Sequence, residues 1–138
     1  MQYAGVADVS LAEWFLSVDF VRFLNAVTGR WCRPSEGFVQ FRMSDVTTPA
    51  FPVHVDAGEG TSFVSLSYLS PDWEPDHGGQ LILHKSQESS SGAVIDPLPN
   101  RLVVFETAAD HWHRVEKVRA SERYSIMIEW LPLVRSGY

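Results

Sequence analysis

From Pro34 onward the sequence consists of short runs rich in Val, Ile, Phe, Tyr and Thr, separated by Gly, Pro, Asn, Asp and Ser. Runs of this length, bounded by turn-forming residues, are typical of β-strands. Many short strands with helix confined to one end favour a mainly β fold, a jelly roll or a related barrel. The predicted strands lie near 38–43, 51–56, 61–69, 79–84, 92–95, 101–106, 113–118 and 123–131.

The segment before these strands has a helical periodicity. Apolar side chains recur at helical spacing over residues 10–29, where Ser10 and Glu13 match a capping box and Gly29 supplies a stop. Asp19 could equally begin a second helix after a bend near Ser17. We therefore expect a single domain over 1–138, with one or two helices in 1–33 packed on a β core of 34–138.

Composition excludes several classes of protein. The chain has 138 residues with a formal charge of −6, so it offers no general footprint for a nucleic acid, and we expect no such partner. Cys32 is its single cysteine, which excludes an intrachain disulfide and a multi-cysteine zinc site. No apolar run approaches the roughly 18 residues that span a bilayer, and no basic signal-peptide region begins the chain. These features favour a cytoplasmic protein without membrane contact.

The stretch FPVHVDAGEG at 51–60 places His54 and Asp56 two residues apart at the end of an apolar run. In a strand, side chains two apart face the same way, so these two can bind one metal ion. This spacing of a histidine and an aspartate often occurs by chance. A pair at the end of a strand that binds no metal is the simpler interpretation.

The stretch HWHRVEKV at 111–118 adds two imidazoles on a later strand, His111 and His113. Two histidines and one carboxylate on one face of a metal are the ligand set of non-haem Fe(II) oxygenases. A closed structural zinc site would instead use four protein ligands, which all four of these side chains could supply. Both interpretations stay open on spacing alone.

Arg123 begins an otherwise apolar strand, RYSIMIEW at 123–130. A guanidinium that faced a barrel interior would be costly without an anion, and a carboxylate matches it in a bidentate arrangement. The alternative is an ordinary arginine at the solvent-exposed edge of a strand.

Four segments together resemble the Fe(II)- and 2-oxoglutarate-dependent dioxygenases, most closely the prolyl-hydroxylase-like branch. They are HVD at 54–56, SLSYLSPDWEPDHGGQLIL at 65–83, PNRLVVFETAADHWHRV at 99–115 and RYSIMIEW at 123–130. Their order and spacing match the family over most of residues 50–132. The family fold is a double-stranded β-helix, or distorted jelly roll, flanked by helices, in agreement with the strand pattern.

The resemblance implies a role for each matching residue. His54, Asp56 and His113 correspond to the iron ligands, whereas His111 fits the spacing less well. Arg123 corresponds to the basic residue that binds the far carboxylate of 2-oxoglutarate. Tyr68 matches a tyrosine that helps to hold the same carboxylate. Ser125 is a further candidate for a cosubstrate contact, and Trp130 matches an aromatic residue beside the pocket.

The activity so implied is hydroxylation of an aliphatic C–H bond, at a prolyl or other amino-acid residue of a protein or peptide, or in a free amino acid. The cofactors implied are Fe(II), 2-oxoglutarate as cosubstrate, and ascorbate. Fewer residues precede His54 than is usual in this branch, so we expect a minimal or truncated form of the domain. The alternatives are an inactive binding or sensory module on the same scaffold, and a cupin-like zinc or iron protein.

Overall fold

The computed structural model describes residues 2–3, 13–55, 62–87, 92–108 and 110–133. The strands of these regions pair antiparallel. Their bounds are β1 Gln2–Tyr3, β2 Cys32–Ser44, β3 Phe51–His54, β4 Ser62–Tyr68, β5 Leu81–His84, β6 Gly92–Ile95, β7 Leu102–Thr107, β8 His113–Val115 and β9 Arg123–Pro132.

The strands form two sheets. A large sheet has the order β1-β2-β9-β4-β7, and a small sheet has the order β3-β8-β5-β6. Neighbours in each sheet are mostly distant in sequence, as in a jelly roll. The predicted mainly β, jelly-roll fold is therefore confirmed.

Helix α1 spans Val18–Thr28 and follows a separate helical turn at 13–15. Ser17 caps α1 because its Oγ accepts a hydrogen bond from Phe20 N at 3.3 Å. Gly29 ends the helix in the left-handed conformation, φ 72°, that glycine adopts without steric cost. The predicted stop at Gly29 and the bend near Ser17 are confirmed, whereas Ser10 lies outside the described residues.

The large sheet has a different core on each face. Its outer face packs against α1 through Phe20, Leu24 and Trp130. Its inner face packs against the small sheet, where Leu66 and Tyr68 join Leu81. The molecule is thus layered as helix, large sheet and small sheet, and both sheets contribute to an interior between them.

Three features differ from the sequence prediction. Strand β8 ends at Val115 and not near 118. Strand β2 begins at Cys32, not near 38, because it continues past an irregularity between Pro34 and Val39 to pair with the far end of β9. Strand β1 was not predicted and pairs with β2 near Met43. Within the part of the chain that is described, no helix has the length and apolar character needed to cross a bilayer.

Candidate active site

A cavity of about 120 Å³ lies between the two sheets. The large sheet contributes alternate residues of β9, Arg123, Ser125 and Met127, because side chains two apart in a strand share a face. The small sheet contributes His54 and His113. The cavity therefore has polar groups from both sheets on a wall that is otherwise largely apolar.

His54 and His113 lie directly opposite each other in the antiparallel pair of β3 and β8. Their ring centroids are 4.1 Å apart. His54 Nδ1 is 2.7 Å from the carbonyl oxygen of Pro52 and His113 Nδ1 is 3.5 Å from that of His111. A proton on Nδ1 donated to a carbonyl places the lone pair on Nε2, the tautomer in which histidine binds a metal through Nε2.

The other two candidate ligands are His111 and Asp56. His111 lies in the loop before β8, is only partly buried, and its Nδ1 is 3.1 Å from the carbonyl oxygen of Glu106. It lines a neighbouring depression instead of the main cavity. Asp56 lies outside the described residues, so its part in the ligand set stays a prediction.

Arg123 is buried, with 7% of its surface exposed. Its Nε donates to the carbonyl oxygen of Gly79 at 2.9 Å and its Nη2 donates to Tyr68 Oη at 3.3 Å. None of the described carboxylates lies within 4.0 Å of the guanidinium. A buried guanidinium bound only by neutral oxygens is a favourable site for an anion.

The loop of Gly78 and Gly79 gives Arg123 its place. Both glycines have positive φ, 73° and 78°, which side chains rarely tolerate. A Cβ on Gly79 would come within 2.8 Å of Arg123 Cδ, and one on Gly78 within 2.1 Å of the carbonyl oxygen of Lys117. The adjacent glycines let the loop backbone pack directly against the arginine side chain.

Ser125 lies two residues further along β9 and is 2% exposed. Its Oγ has no hydrogen-bond partner in the described part of the chain. A buried hydroxyl without a partner costs free energy, so its position on the cavity wall fits a polar ligand.

Tyr68 is fully buried and lies opposite Ser125 in the β4–β9 pair. The guanidinium carbon of Arg123 is 5.0 Å from the centre of its ring. Burial raises the pKa of the Tyr68 phenol, and the charge of Arg123 opposes this increase. The phenol therefore stays protonated at neutral pH, so it can accept from Arg123 and donate its own proton to a further acceptor.

Trp130 does not lie beside the cavity. It is completely buried on the other face of the large sheet, where its ring centroid is 5.7 Å from that of Phe20 and its Nε1 donates to Ser65 Oγ at 2.9 Å. The reason is the alternation of β9, in which Arg123, Ser125 and Met127 face the cavity and the even-numbered residues face α1. This position corrects the expectation of an aromatic residue beside the pocket.

Much of the cavity wall comes from residues that the sequence motifs did not predict. Arg42 and Ser44 enter because they lie opposite Ser125 and Arg123 in the β2–β9 pair. Phe105 enters from β7, with its ring centroid 5.3 Å from that of His113. Only the strand pairing brings these residues to the site, and no sequence motif marks them.

A separate group of metal-binding residue types lies at the protein surface. One ligand atom each from Glu74, Asp76 and His77 falls within 4.8 Å of the others. Its geometry has a structural cause, because His77 Nδ1 accepts from Glu74 N at 3.2 Å in the capping of a short 3₁₀ helix. Both carboxylates are exposed, as such groups commonly are without an ion.

The cavity thus combines two chemically different regions. The small sheet contributes a pair of imidazoles with the arrangement of two metal ligands. The large sheet contributes a buried cation and a hydroxyl that has no partner among the described residues, and both suit a carboxylate. The phenol of Tyr68 does not line the cavity but contacts the cation from behind. A small molecule with a carboxylate at one end and metal-chelating oxygens at the other would match both regions.

Comparison with known sequences agrees with this arrangement. Residues 40–131 match the family profile of the 2OG-Fe(II) oxygenase superfamily. Prolyl 3-hydroxylase OGFOD1 from Mus musculus is 33% identical over 126 residues, covering 87% of this chain and 22% of that protein. The 2-oxoglutarate and iron-dependent oxygenase domain-containing protein 3 from Rattus norvegicus is 36% identical over 77 residues, covering 54% and 24%. The chain spans less than a quarter of the length of these relatives.

Solved structures show the same fold. A prolyl 4-hydroxylase from Phytophthora capsici aligns with a TM-score of 0.69 at 23% identity, covering 91% of this chain and 43% of that one. A prolyl hydroxylase from Trichoplax adhaerens, solved in complex with a hypoxia-inducible factor peptide fragment, aligns with a TM-score of 0.58 at 28% identity, covering 68% and 43%. The two-sheet architecture around the cavity is therefore that of known prolyl hydroxylases.

Proposed function

This chain belongs to the 2OG-Fe(II) oxygenase superfamily, and we propose that it is an Fe(II)- and 2-oxoglutarate-dependent dioxygenase that hydroxylates an aliphatic C–H bond. The observation that carries the proposal is the cavity itself, which joins the imidazoles of His54 and His113 to the buried guanidinium of Arg123. Neither the small sheet nor the large sheet supplies both groups alone.

The residues present fit an iron site. His54 and His113 would bind Fe(II) through Nε2, since their Nδ1 atoms face backbone carbonyls. The predicted third ligand, Asp56, would complete a two-histidine, one-carboxylate set that leaves coordination positions for other ligands. The chemistry supplied by bound iron and 2-oxoglutarate in this family is oxidative decarboxylation, which consumes dioxygen and couples release of succinate and carbon dioxide to hydroxylation.

The residues also fit the far carboxylate of 2-oxoglutarate. Arg123 would donate charge-assisted hydrogen bonds to it, and Tyr68, whose hydroxyl is 3.3 Å from Arg123, would add a neutral donor. Ser125 Oγ would gain the partner that it lacks within the described structure. Because these groups are buried, their interaction with the carboxylate is screened less than it would be at the surface.

The rest of the wall excludes water and leaves room for a substrate. Phe51 and Phe105 pack on the rings of His54 and His113, with centroids 4.3 and 5.3 Å apart. Phe51 is itself 43% exposed, so an apolar surface continues from the cavity to the outside. A proline or another aliphatic side chain would be the kind of group to approach the metal along this surface.

We assign a prolyl residue of a protein or peptide as the substrate, with another amino-acid residue or a free amino acid as the wider class. The support is the match to a prolyl 3-hydroxylase over 87% of this chain. The Trichoplax enzyme, at 28% identity, was solved with a peptide bound, which is consistent with a peptide substrate here.

The test is turnover with defined peptides. The chain is supplied with Fe(II), 2-oxoglutarate and air, together with a set of proline-containing peptides, and succinate and oxygen incorporation are followed by mass spectrometry. We expect succinate from the wild type, none from His113→Ala, and one added oxygen on proline in at least one peptide. Folded, iron-loaded protein that forms no succinate with any peptide would contradict the proposal and favour a binding module on the same scaffold.

A further inference from the structure

The strand pair that brings His54 and His113 together is short and irregular. Strand β8 has three residues, and the register of its pairing with β3 shifts between Phe51 and His54. Strand β3 also lies at the edge of the small sheet, where no other described strand pairs with it. Only two residue pairs define the register here, and a slip by one residue would turn a side chain to the opposite face.

Lys117, two residues after β8, makes a contact that extends this pair. Its Nζ donates to the carbonyl oxygen of Val46 at 2.8 Å and to that of Thr48 at 3.1 Å. Both acceptors belong to the segment of residues 45–50 that joins β2 to β3, here called the 45–50 loop. One ammonium therefore ties the chain that enters β3 to the chain that leaves β8.

Hydrogen bonds within the 45–50 loop stabilise its conformation, so the contact with Lys117 can fix the position of β3. The Asp45 carboxylate accepts from Thr47 N at 2.8 Å and from Thr47 Oγ1 at 2.6 Å, and Thr48 N donates to the carbonyl oxygen of Asp45 at 3.0 Å. Hydrogen bonds from Thr47, with a smaller contribution from the charge of Lys117, lower the pKa of Asp45. The loop also reaches the cavity, where Thr48 and Pro49 line the wall.

We propose that Lys117 is a positioning residue whose ammonium holds the 45–50 loop against the end of β8 and so keeps His54 opposite His113. This inference rests on the proposed function, because it assigns the histidine pair to a metal. Lys117 touches neither the metal nor the substrate. It acts through the loop and β3, and its loss weakens the site without removing any ligand.

The substitution Lys117→Met removes the donors and keeps most of the aliphatic stem. Lys117→Arg keeps a cation with several donors and serves as the conservative rescue. The matched control is Lys85→Met, since Lys85 is the other lysine of the sequence and lies exposed just after β5. If the methionine variant does not fold, Lys117→Gln replaces it, because its shorter neutral amide is compatible with the surface but cannot replace the ammonium at both carbonyls.

The first readout needs no metal. Amide hydrogen exchange is measured on the metal-free variants at Thr47 and Thr48, whose amides are bonded within the loop. The reference amide is Tyr68 N, which donates to Arg101 O in the large sheet. We expect faster exchange at both threonines in Lys117→Met, wild-type exchange in Lys117→Arg and Lys85→Met, and no change at Tyr68 in any variant.

The second readout is the affinity for Co(II) alone, titrated by its visible absorption without 2-oxoglutarate. Loss of a group that orients metal ligands typically weakens binding by 10–100-fold, and we expect about tenfold for Lys117→Met and little change for the other two. Wild-type exchange or wild-type affinity in Lys117→Met would overturn the inference. If the unsubstituted chain binds no Co(II), the proposed function fails, and the exchange rates alone then decide whether Lys117 holds the loop.

Discussion

The two sheets that enclose the cavity differ in how firmly they hold their functional residues. In the large sheet, β9 lies between β2 and β4 and keeps an unbroken register with β4 from Trp130 opposite Phe63 to Ser125 opposite Tyr68. In the small sheet, the histidines lie on a three-residue strand and on a four-residue edge strand. The candidate carboxylate site is thus part of a continuous ladder, whereas the candidate metal site depends on loops and side-chain contacts.

This difference separates two kinds of sensitivity. A substitution in a strand that is buried on both faces reduces the stability of the protein, but such a strand holds its side chains in fixed positions. Distorting a short edge strand costs little free energy, so a metal site on such strands is sensitive to substitutions of residues that are not ligands. We therefore expect substitutions on the cavity face of the large sheet to weaken cosubstrate binding, and substitutions on the face toward α1 to reduce stability.

The largest effect is expected at Arg123. Replacing it by Leu removes the cation from the cavity, and loss of a buried charge-assisted pair should weaken 2-oxoglutarate binding by about 100-fold. The free energy of unfolding should change little, because loss of the hydrogen bonds to Gly79 O and Tyr68 Oη is offset by removal of a buried charge that has no carboxylate partner. Calorimetric titration of 2-oxoglutarate into Mn(II)-loaded protein measures the affinity.

The control for that comparison is Arg119→Leu, since Arg119 is an exposed arginine of the same segment. Its affinity for 2-oxoglutarate should equal that of the wild type. Equal loss in both variants would mean that the general charge of the region, and not a site at Arg123, attracts the cosubstrate.

On the opposite face of β9 we expect a loss of stability without a loss of affinity for 2-oxoglutarate. Trp130→Phe removes the hydrogen bond to Ser65 Oγ and leaves that hydroxyl buried without a partner, at a cost of about 2 kcal/mol in the free energy of unfolding. The affinity for 2-oxoglutarate should not change, because Trp130 faces α1. Urea denaturation and the same calorimetric titration give both values, and a selective loss of affinity would place the indole beside the cavity after all.

Gly79→Ala tests how the loop supports Arg123. Its Cβ would come within 2.8 Å of Arg123 Cδ, so we expect roughly tenfold weaker binding of 2-oxoglutarate, together with a stability loss of about 1–2 kcal/mol from the positive φ. Gly29→Ala is a matched control, because it has a similar φ of 72° but nothing within 4 Å of the new Cβ. It should lose stability alone, and an equal loss of affinity in both would indicate a general effect of strain.

The smallest effect concerns the pH dependence of stability at Tyr68. Its pKa is raised in the folded state, chiefly by burial, so the folded state favours the neutral phenol. The associated stability is complete below the unfolded pKa of about 10 and is lost as pH rises through the higher folded pKa. Tyr68→Phe should therefore lose less stability than the wild type on going from about pH 9 to 11, measured by urea denaturation. Parallel curves would show that Tyr68 does not titrate differently in the fold.

The local pattern of the sequence predicts much of the fold. Turn residues and β-branched runs indicate most of the strands, and Gly29 and the region of Ser17 mark the ends of α1. The face to which each side chain points is harder to predict because both faces of the large sheet are covered, one by α1 and the other by the small sheet, so buried residues stand on both faces. The face of Trp130 is mispredicted for this reason, since β9 has apolar residues on both faces and the resemblance identifies an aromatic residue but not the face to which it points.

The residues of the candidate site also fall into two groups, those that the sequence predicts and those that it does not. The histidines and Arg123 stand in motifs that can be recognised in the sequence, and the structure brings all three to one cavity. Arg42 and Phe105 arrive there through pairings between distant strands. Lys117 does not line the cavity, but it contacts a loop 69 to 71 residues away that does. Long-range pairing is a property of the whole topology, so no local pattern encodes it.

The most direct test of the central claim is an anaerobic titration of Fe(II)-loaded protein with 2-oxoglutarate, followed by the visible charge-transfer absorption that chelation of the keto acid produces. It is carried out on the wild type, His113→Ala and His111→Ala. We predict that the absorption develops in the wild type and in His111→Ala and is absent in His113→Ala, because His113 shares the cavity with His54 and Arg123. No absorption in folded, iron-replete wild type, or a loss in His111→Ala with retention in His113→Ala, would contradict the account.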